Sequence, residues 1–303
     1  MKYELLYNTI QSYAENTESL FVANIPVFVQ EAENRIYNSV QIPSLRKNVT
    51  GVATGNNPYI SLPSDYLASF SVAVIDQNGN YNYLLNKDAN YIREVYPNPT
   101  ATGVPRAYAL FGPQFTNINN LSYIVGPTPD QNYNVELHYF YYPPTIVQGQ
   151  ISALSITTSG VGYINGLYQN VPFTGGSGAN ASGDILVVNG KPTSVTLQFG
   201  GNFYLVGDVL SCASIGNTGS NFTMTVTAVS NAAGESWLGD NYDPVLLYGA
   251  MREAIIFMKG EADMVKYYED KYQEAIGQLA RLSAGLERGD TYRDGQAKIK
   301  VGL

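Results

Sequence analysis

Hydrophobic residues recur every three or four positions at both ends of this chain and every two positions in between. Near the C-terminus Leu247, Met251, Ala254, Ile255 and Met258 fall on one helical face. A second run follows at Val265, Tyr268, Tyr272, Ile276, Leu279, Leu282 and Leu286. Asp243-Pro244 predicts the start of the first helix: the carboxylate accepts free N–H groups of the first turn, and proline has no N–H to leave unpaired. Lys259-Gly260-Glu261 predicts a corner between the two helices. Lys266, Glu269, Asp270, Lys271, Glu274 and Arg281 fill the other side of the second helix, with the acids in reach of the lysines along its surface. At the N-terminus Tyr3, Leu6, Ile10 and Tyr13 predict a short helix. After a polar break at Glu15-Asn16-Thr17-Glu18, Asn24-Ile25-Pro26 is expected to open another, with Phe28, Val29, Ala32, Ile36 and Val40 on its apolar face. Ile42-Pro43 ends it, because a residue before proline is pushed out of the helical region. Neither pair of helices has enough apolar surface to stand alone. The expectation is therefore an α+β chain in which the N- and C-terminal helices form one helical bundle with everything else inserted into it.

The middle of the chain reads as two β blocks. Strands are predicted at 49–53, 59–62, 67–75, 81–85, 107–111, 121–125 and 133–142, with a short helix over 88–95 capped by Asp88 or Asn90. Asn78-Gly79 supplies the positive φ angles of a tight hairpin. In the last strand Tyr133, Val135, Leu137, Tyr139 and Tyr141 alternate with Asn134, Glu136 and His138, a period of two. This block is expected to be a small antiparallel sandwich or barrel. The composition then changes: residues 150–230 hold three charges (Asp184, Lys191 and Asp208) and 13 of the 29 glycines. The stretch also repeats itself. Leu154 to Thr157 leads into Gly160-Val161-Gly162-Tyr163, as Val195 to Gln198 leads into Gly200-Gly201-Asn202-Phe203-Tyr204. Repeated glycine corners imply positive φ or close backbone approach. The expected division is 1–47 with 236–303 as the helical domain, 48–149 as an antiparallel β domain and 150–235 as an inserted Gly/Tyr-rich all-β module.

Charge narrows the function. The 303 residues carry a net charge of −8, and a nucleic-acid groove needs clustered lysine and arginine. The lone Cys212 permits no intrachain disulfide. Residues 1–10 lack the basic flank and apolar core of a signal peptide, and no stretch approaches the 18 apolar residues of a membrane span. His138 is the one histidine; general-base work needs a partner and a cleft, so it reads as structural. No Cys/His set suits zinc, and no cofactor is expected. Gly175-Gly176-Ser177-Gly178 and Gly190-Lys191 lack the full phosphate-loop spacing. Asp240, Asn241 and Asp243 make only half a calcium loop, which capping explains better. Glu261 with Asp263, and Glu269 with Asp270, point different ways on a helix and do not form a glycosidase pair.

Two sets of residues carry a family resemblance. One is Leu5-Leu6, Ile10, Tyr13, the Ile25-Pro26 to Ile36 helix and the Leu62-Pro63-Ser64-Asp65-Tyr66 turn. The other is Ser236-Trp237-Leu238, Tyr242-Asp243, Leu247-Tyr248-Gly249-Ala250 and Glu253-Ala254, continuing through Lys259-Gly260-Glu261-Ala262 to Leu279. Together they resemble head–tail adaptor proteins of tailed bacteriophages, especially short-tailed ones, while residues 150–230 resemble a glycine/tyrosine module of phage structural proteins. The resemblance implies a structural virion protein at the head–tail junction, present in the host cytoplasm during assembly, with no catalytic site. It implies a homo-oligomeric ring, typically of twelve copies, that binds the portal protein and prolongs its DNA channel. The β parts would face a tail nozzle or tail fibre protein, and genomic DNA would pass without sequence-specific binding. Expected interface residues are Trp237, Tyr242, Asp243, Tyr267, Tyr268 and Tyr272, with Ile299 and Val301 of the alternating Lys298-Ile299-Lys300-Val301 tail. The alternative function is carbohydrate binding for host recognition, through exposed tyrosines of the β modules.

Overall fold

The computed structural model describes residues 1–98, 100–112, 121–212, 215 and 218–287. They form two compact units, one of Met1–Val40 with Pro144–Gly285 and one of Gln41–Pro143.

The first unit opens with α1 (Tyr3–Ala14) and α2 (Ser19–Ser39). Tyr3, Leu6 and Ile10 of α1 are buried, at the predicted spacing. Helix α2 begins a turn and a half earlier than Asn24-Ile25-Pro26 implies, and Pro26 lies inside it. Phe21 and Ile25 lie under the same buried face as Phe28 and Val29, so burial of two more large side chains outweighs the one backbone bond that proline removes.

The second unit contains β1 (Arg46–Ala53), β2 (Tyr59–Ser61), β3 (Tyr66–Ile75), β4 (Tyr81–Tyr83), β5 (Leu85–Asn86), α3 (Ala89–Val95), β6 (Thr102–Gly103), β7 (Ala107–Phe111), β8 (Ser122–Gly126), β9 (Thr128–Pro129) and β10 (Tyr133–Tyr141). Two four-stranded sheets, ordered β1-β10-β3-β4 and β2-β8-β7-β5, enclose a core of Val72, Val74, Tyr123, Val125, Tyr133, Val135, Leu137 and Tyr139. Asp88 caps α3 by accepting from the Asn90 N–H. That helix packs Ile92 over Ala107, Ala109 and Ile124. The block is not purely antiparallel as expected: β5–β7 and β6–β9 pair parallel. Helix α3 stands between the partners of the first pair, which gives the chain the length a parallel crossover requires.

The first unit resumes with β11 (Gln150–Val161), β12 (Gly166–Pro172), β13 (Thr174–Gly175), β14 (Ala179–Val188), β15 (Lys191–Asn202), β16 (Val209–Ser211) and β17 (Ser220–Ser230). Sheets ordered β11-β17-β16-β13 and β12-β14-β15 bury Ile151, Val171, Phe173, Ile185, Val187, Leu210, Phe222, Met224 and Val226. Three helices follow: α4 (Trp237–Asn241), α5 (Asp243–Phe257) and α6 (Ala262–Glu287). Ser236 caps α4 by accepting from the Gly239 N–H. Asp243 does not cap α5; its carboxylate lies 3.9 Å from the N-terminal amino group, and Tyr242 is the N-cap. The positive charge of the chain terminus competes with the helix N–H groups for the carboxylate.

The expected helical bundle of the two chain ends is therefore corrected. Among the described residues the chain is mixed α/β and mostly strand, with helices and the long strands β11, β14, β15 and β17 sharing one unit. The reason is visible at Tyr3. Its ring is fully buried, 5.3 Å from Phe203. Part of the apolar face of α1 is thus covered by the β module, not by another helix.

Candidate functional site

Helices α2 and α5 meet at one end through aromatic side chains, beside the α1–α2 and α5–α6 corners. Phe257, the last residue of α5, lies 5.3 Å from Phe28 and 6.4 Å from Phe21. The Asn16 amide reaches the Met258 sulfur at 3.4 Å. Lys259 takes a positive φ of 55° at the corner, where a carbonyl-terminated helix end turns back, and α6 starts three residues later. Tyr267 stands edge-on to Tyr268 at 5.3 Å.

This end carries Tyr13, Leu20, Ile256, Phe257, Met264 and Tyr267, all exposed. Exposed apolar residues gathered at the same helix corners are candidates for a contact site. Behind it the helices are tightly fixed. A Cβ on Gly249 would come within 2.9 Å of the Ala32 Cβ and 3.2 Å of the Tyr272 ring, so α2, α5 and α6 approach one another as closely as glycine allows. Arg252 pairs with Glu269 across α5 and α6, and Glu253 binds both Arg252 and Arg35 at 2.7 and 2.8 Å. Glu269 thus serves Arg252 rather than the helix lysines expected from spacing.

The expected interface residues separate into groups. Trp237 opens α4 and is half-buried. Tyr242 is half-buried and donates to the Gln278 side chain at 2.6 Å. Asp243 faces the N-terminal amine. Tyr267 is exposed at the apolar end, while its neighbour Tyr268 is buried. Tyr272 lies under Gly249 and is 2% exposed; burial pushes its hydroxyl up to about 12. Ile299 and Val301 lie outside the described residues. The exposed Ile256, Phe257 and Met264 were not singled out. For Ile256 and Phe257 the signal was the unbroken run Ile255-Ile256-Phe257-Met258, which is apolar all round one turn, so that part of it must face outward.

A row of polar side chains on the other unit also merits comparison with a catalytic site. His138 Nδ1 lies 2.9 Å from the Ser71 hydroxyl, and Nε2 lies 3.0 Å from Glu136. The sheet accounts for this arrangement. His138 is opposite Ser71 in register, and Glu136 is two residues away on the same strand face. Glu136 also accepts from the Asn48 amide at 2.6 Å and from Tyr81, which holds its carboxyl below the ordinary glutamate value. Among the described residues no three His, Cys, Asp or Glu side chains are grouped to hold a metal ion.

A family model described as SU10 adaptor protein matches residues 1–173. The chain belongs to the SU10 adaptor protein family. It is accordingly a phage adaptor, a structural component of the virion that interacts with other virion parts. No curated protein matches the chain. The match takes in α1, α2, the whole second unit and the start of the β module. Among the described residues no helix of the adaptor is long and apolar enough to cross a membrane.

Proposed function

We propose that this adaptor assembles as a ring, of twelve copies, at the head–tail junction, between the portal protein and the tail. The ring extends the DNA channel, and the β modules dock a tail nozzle or fibre protein. The exposed apolar end of the helices carries this reading. Tyr13, Leu20, Ile256, Phe257, Met264 and Tyr267 are held on helices that close packing at Gly249 and the Arg252 ion pairs keep rigid, and rigid apolar anchors are what protein interfaces use. The net charge of −8 suits a channel wall, because DNA is retained by clustered cations on its phosphates. The role is structural and needs no cofactor. The test is the mass of the purified protein by sedimentation velocity, alone and mixed with portal. A ring, or co-sedimentation with portal that Phe257→Asp with Tyr267→Asp abolishes, is the expected result. A chain that stays monomeric and ignores portal overturns the reading.

Carbohydrate recognition is a second reading, and one observation favours it. Tyr81 and Tyr83 are exposed and lie side by side with rings 6.5 Å apart, next to the polar Glu136 and Asn48. Such a platform suits a sugar face. Glycan-array binding by the intact protein that Tyr83→Ala removes would support this reading over the first.

A further inference from the structure

The β module is built from two copies of one unit, each residue of the second standing 41 positions after its counterpart in the first. Gly160, Tyr163, Gly166, Gly178 and Asn180 recur as Gly201, Tyr204, Gly207, Gly219 and Asn221. The conformations recur with them. Gly160 and Gly201 have φ of 61° and 63°, and Asn180 and Asn221 both have 66°. A Cβ on Gly160 would strike the backbone at Ser220 and Phe222, and one on Gly201 would strike it at Ala179 and Ala181, again 41 positions apart. The Tyr163 hydroxyl accepts from the Phe222 N–H, and the Tyr204 hydroxyl accepts from the Ala181 backbone. Tyr163 N–H donates to Gly190 and Tyr204 N–H to Gly149.

The two glycine corners lie at opposite ends of β11. Gly200 abuts Ile151 at the start of that strand, whereas Gly162 and Tyr163, just past its end, abut Gly190. At about 3.3 Å per residue the corners are roughly 30 Å apart. The corner at Gly201 is covered. Phe203 packs against both Tyr3 and Tyr7 of α1, 5.3 and 5.4 Å from their rings, and Asn202 and Val147 are 1% and 0% exposed. Among the described residues the corner at Gly160 is bare. The counterparts of Asn202 and Val147 are Val161 and Val188, 57% and 42% exposed. Leu186 is also exposed there, whereas Ile164 at 55% matches its counterpart Leu205 at 59% and lies outside the face that α1 covers at the other corner. Where the covered corner has Phe203, the bare one has Gly162 and contributes no aromatic ring at that position. Lys191, the one cation of the module, borders this face.

We propose that the bare corner, formed by Val161, Gly162 and Val188, is a docking site for an amphipathic helix of a partner protein. That helix carries two aromatic residues one turn apart and an acidic flank. It occupies the site as α1 occupies the other corner, with one of its own rings supplying the aromatic contact that Phe203 supplies there. The surface follows from the internal symmetry alone. Only the assignment of the partner to the virion rests on the adaptor reading.

The probe is a fluorescent, helix-stapled peptide of residues 1–15 of this chain, which presents Tyr3 and Tyr7 one turn apart and is already accommodated by the equivalent corner. Anisotropy titration against the intact protein is expected to give saturable binding. Val161→Asp and Val188→Asp, both at exposed positions, are expected to weaken it at least tenfold, while Leu205→Asp at the covered corner leaves it unchanged. Absence of binding, binding that survives Val188→Asp, or loss confined to Leu205→Asp overturns the proposal. So does self-association in sedimentation that Val188→Asp abolishes, because the occupant is then a second copy. None of these outcomes depends on ring formation or portal.

Discussion

The Thr145 hydroxyl donates to the carboxylate of Glu33 over 2.6 Å, and the adjoining Ile146 N–H donates to the same carboxylate over 2.8 Å. Glu33 lies on the buried face of α2 and is 3% exposed. It fixes the segment that enters the β module, where Asn231 also donates to the Thr145 carbonyl at 2.8 Å.

Burial raises the Glu33 carboxyl from 4.5 to about 7, against the lowering effect of its two hydrogen bonds. The native state thus holds this proton more tightly than the unfolded chain does. The stabilisation is complete below about pH 4.5 and is lost as pH rises through about 7. At about 1.4 kcal/mol per pH unit it amounts to about 3 kcal/mol. Glu33→Gln cannot ionise, and the Thr145 hydroxyl is free to accept from its amide. Thermal unfolding by circular dichroism between pH 5 and 8.5 is expected to show the variant matching the parent at pH 5 and exceeding it at pH 8.5. A difference between the two that does not change with pH would contradict the assignment.

Gly249 sits where three helices converge. Valine there must displace the Ala32 Cβ, 2.9 Å from the added carbon, or the Tyr272 ring. Overpacking of this kind costs about 1–3 kcal/mol. Urea unfolding followed by fluorescence of the single Trp237 is the measurement, with a lower midpoint and an unchanged slope expected for Gly249→Val.

Much of this core was legible because periodicity is local. The spacing of Tyr3, Leu6 and Ile10, or of Tyr268, Tyr272 and Leu279, fixes which face of a helix is apolar before any partner is known. The glycine corners of residues 150–230 were legible for the same reason, since Gly160 and Gly201 need their backbone shape whatever surrounds them. The partners were not legible. Nothing in α1 says that Tyr3 meets Phe203 rather than another helix, and that contact gives to the β module a face the expected bundle needed. Asp243 reads as a cap until the N-terminal amine is brought beside it from 242 residues away. Of the adjacent Tyr267 and Tyr268, both were expected as contact residues, although the apolar period already turns Tyr268 inward and leaves Tyr267 off that face. Tyr267 alone stays on the exposed end where the candidate interface lies.

The join between α1 and the β module is itself testable. Tyr3 is fully buried against Phe203, with its hydroxyl toward Asn202 at 3.5 Å. Truncating a large buried aromatic costs about 3–5 kcal/mol. Tyr3→Ala is expected to lower stability on that scale and to do so in one transition, because helices and module share a unit. Hydrogen exchange should show amides of both α1 and β15 losing protection together. Loss restricted to α1 would mean that the module does not depend on this contact.

The last expectation concerns residues outside the described part of the chain. Ile299 and Val301 alternate with Lys298 and Lys300, a pattern that presents apolar side chains on one face of an extended segment and charges on the other. So short a stretch cannot form a core of its own. It gains most by adding to a strand edge or slot of a neighbouring chain. In a ring each copy repeats the same head-to-tail contact, so a weak tail contact is multiplied around the circle. Truncation after Arg288 removes this segment and leaves every residue of the helical core in place. We expect the shortened protein to keep its thermal midpoint as a monomer and to co-sediment with portal far less than the intact chain. Ile299→Ser with Val301→Ser should reproduce the defect with the lysines retained, which separates apolar docking from charge attraction. Undiminished co-sedimentation of both variants would show the tail to be dispensable and leave the apolar end of the helices as the assembly surface.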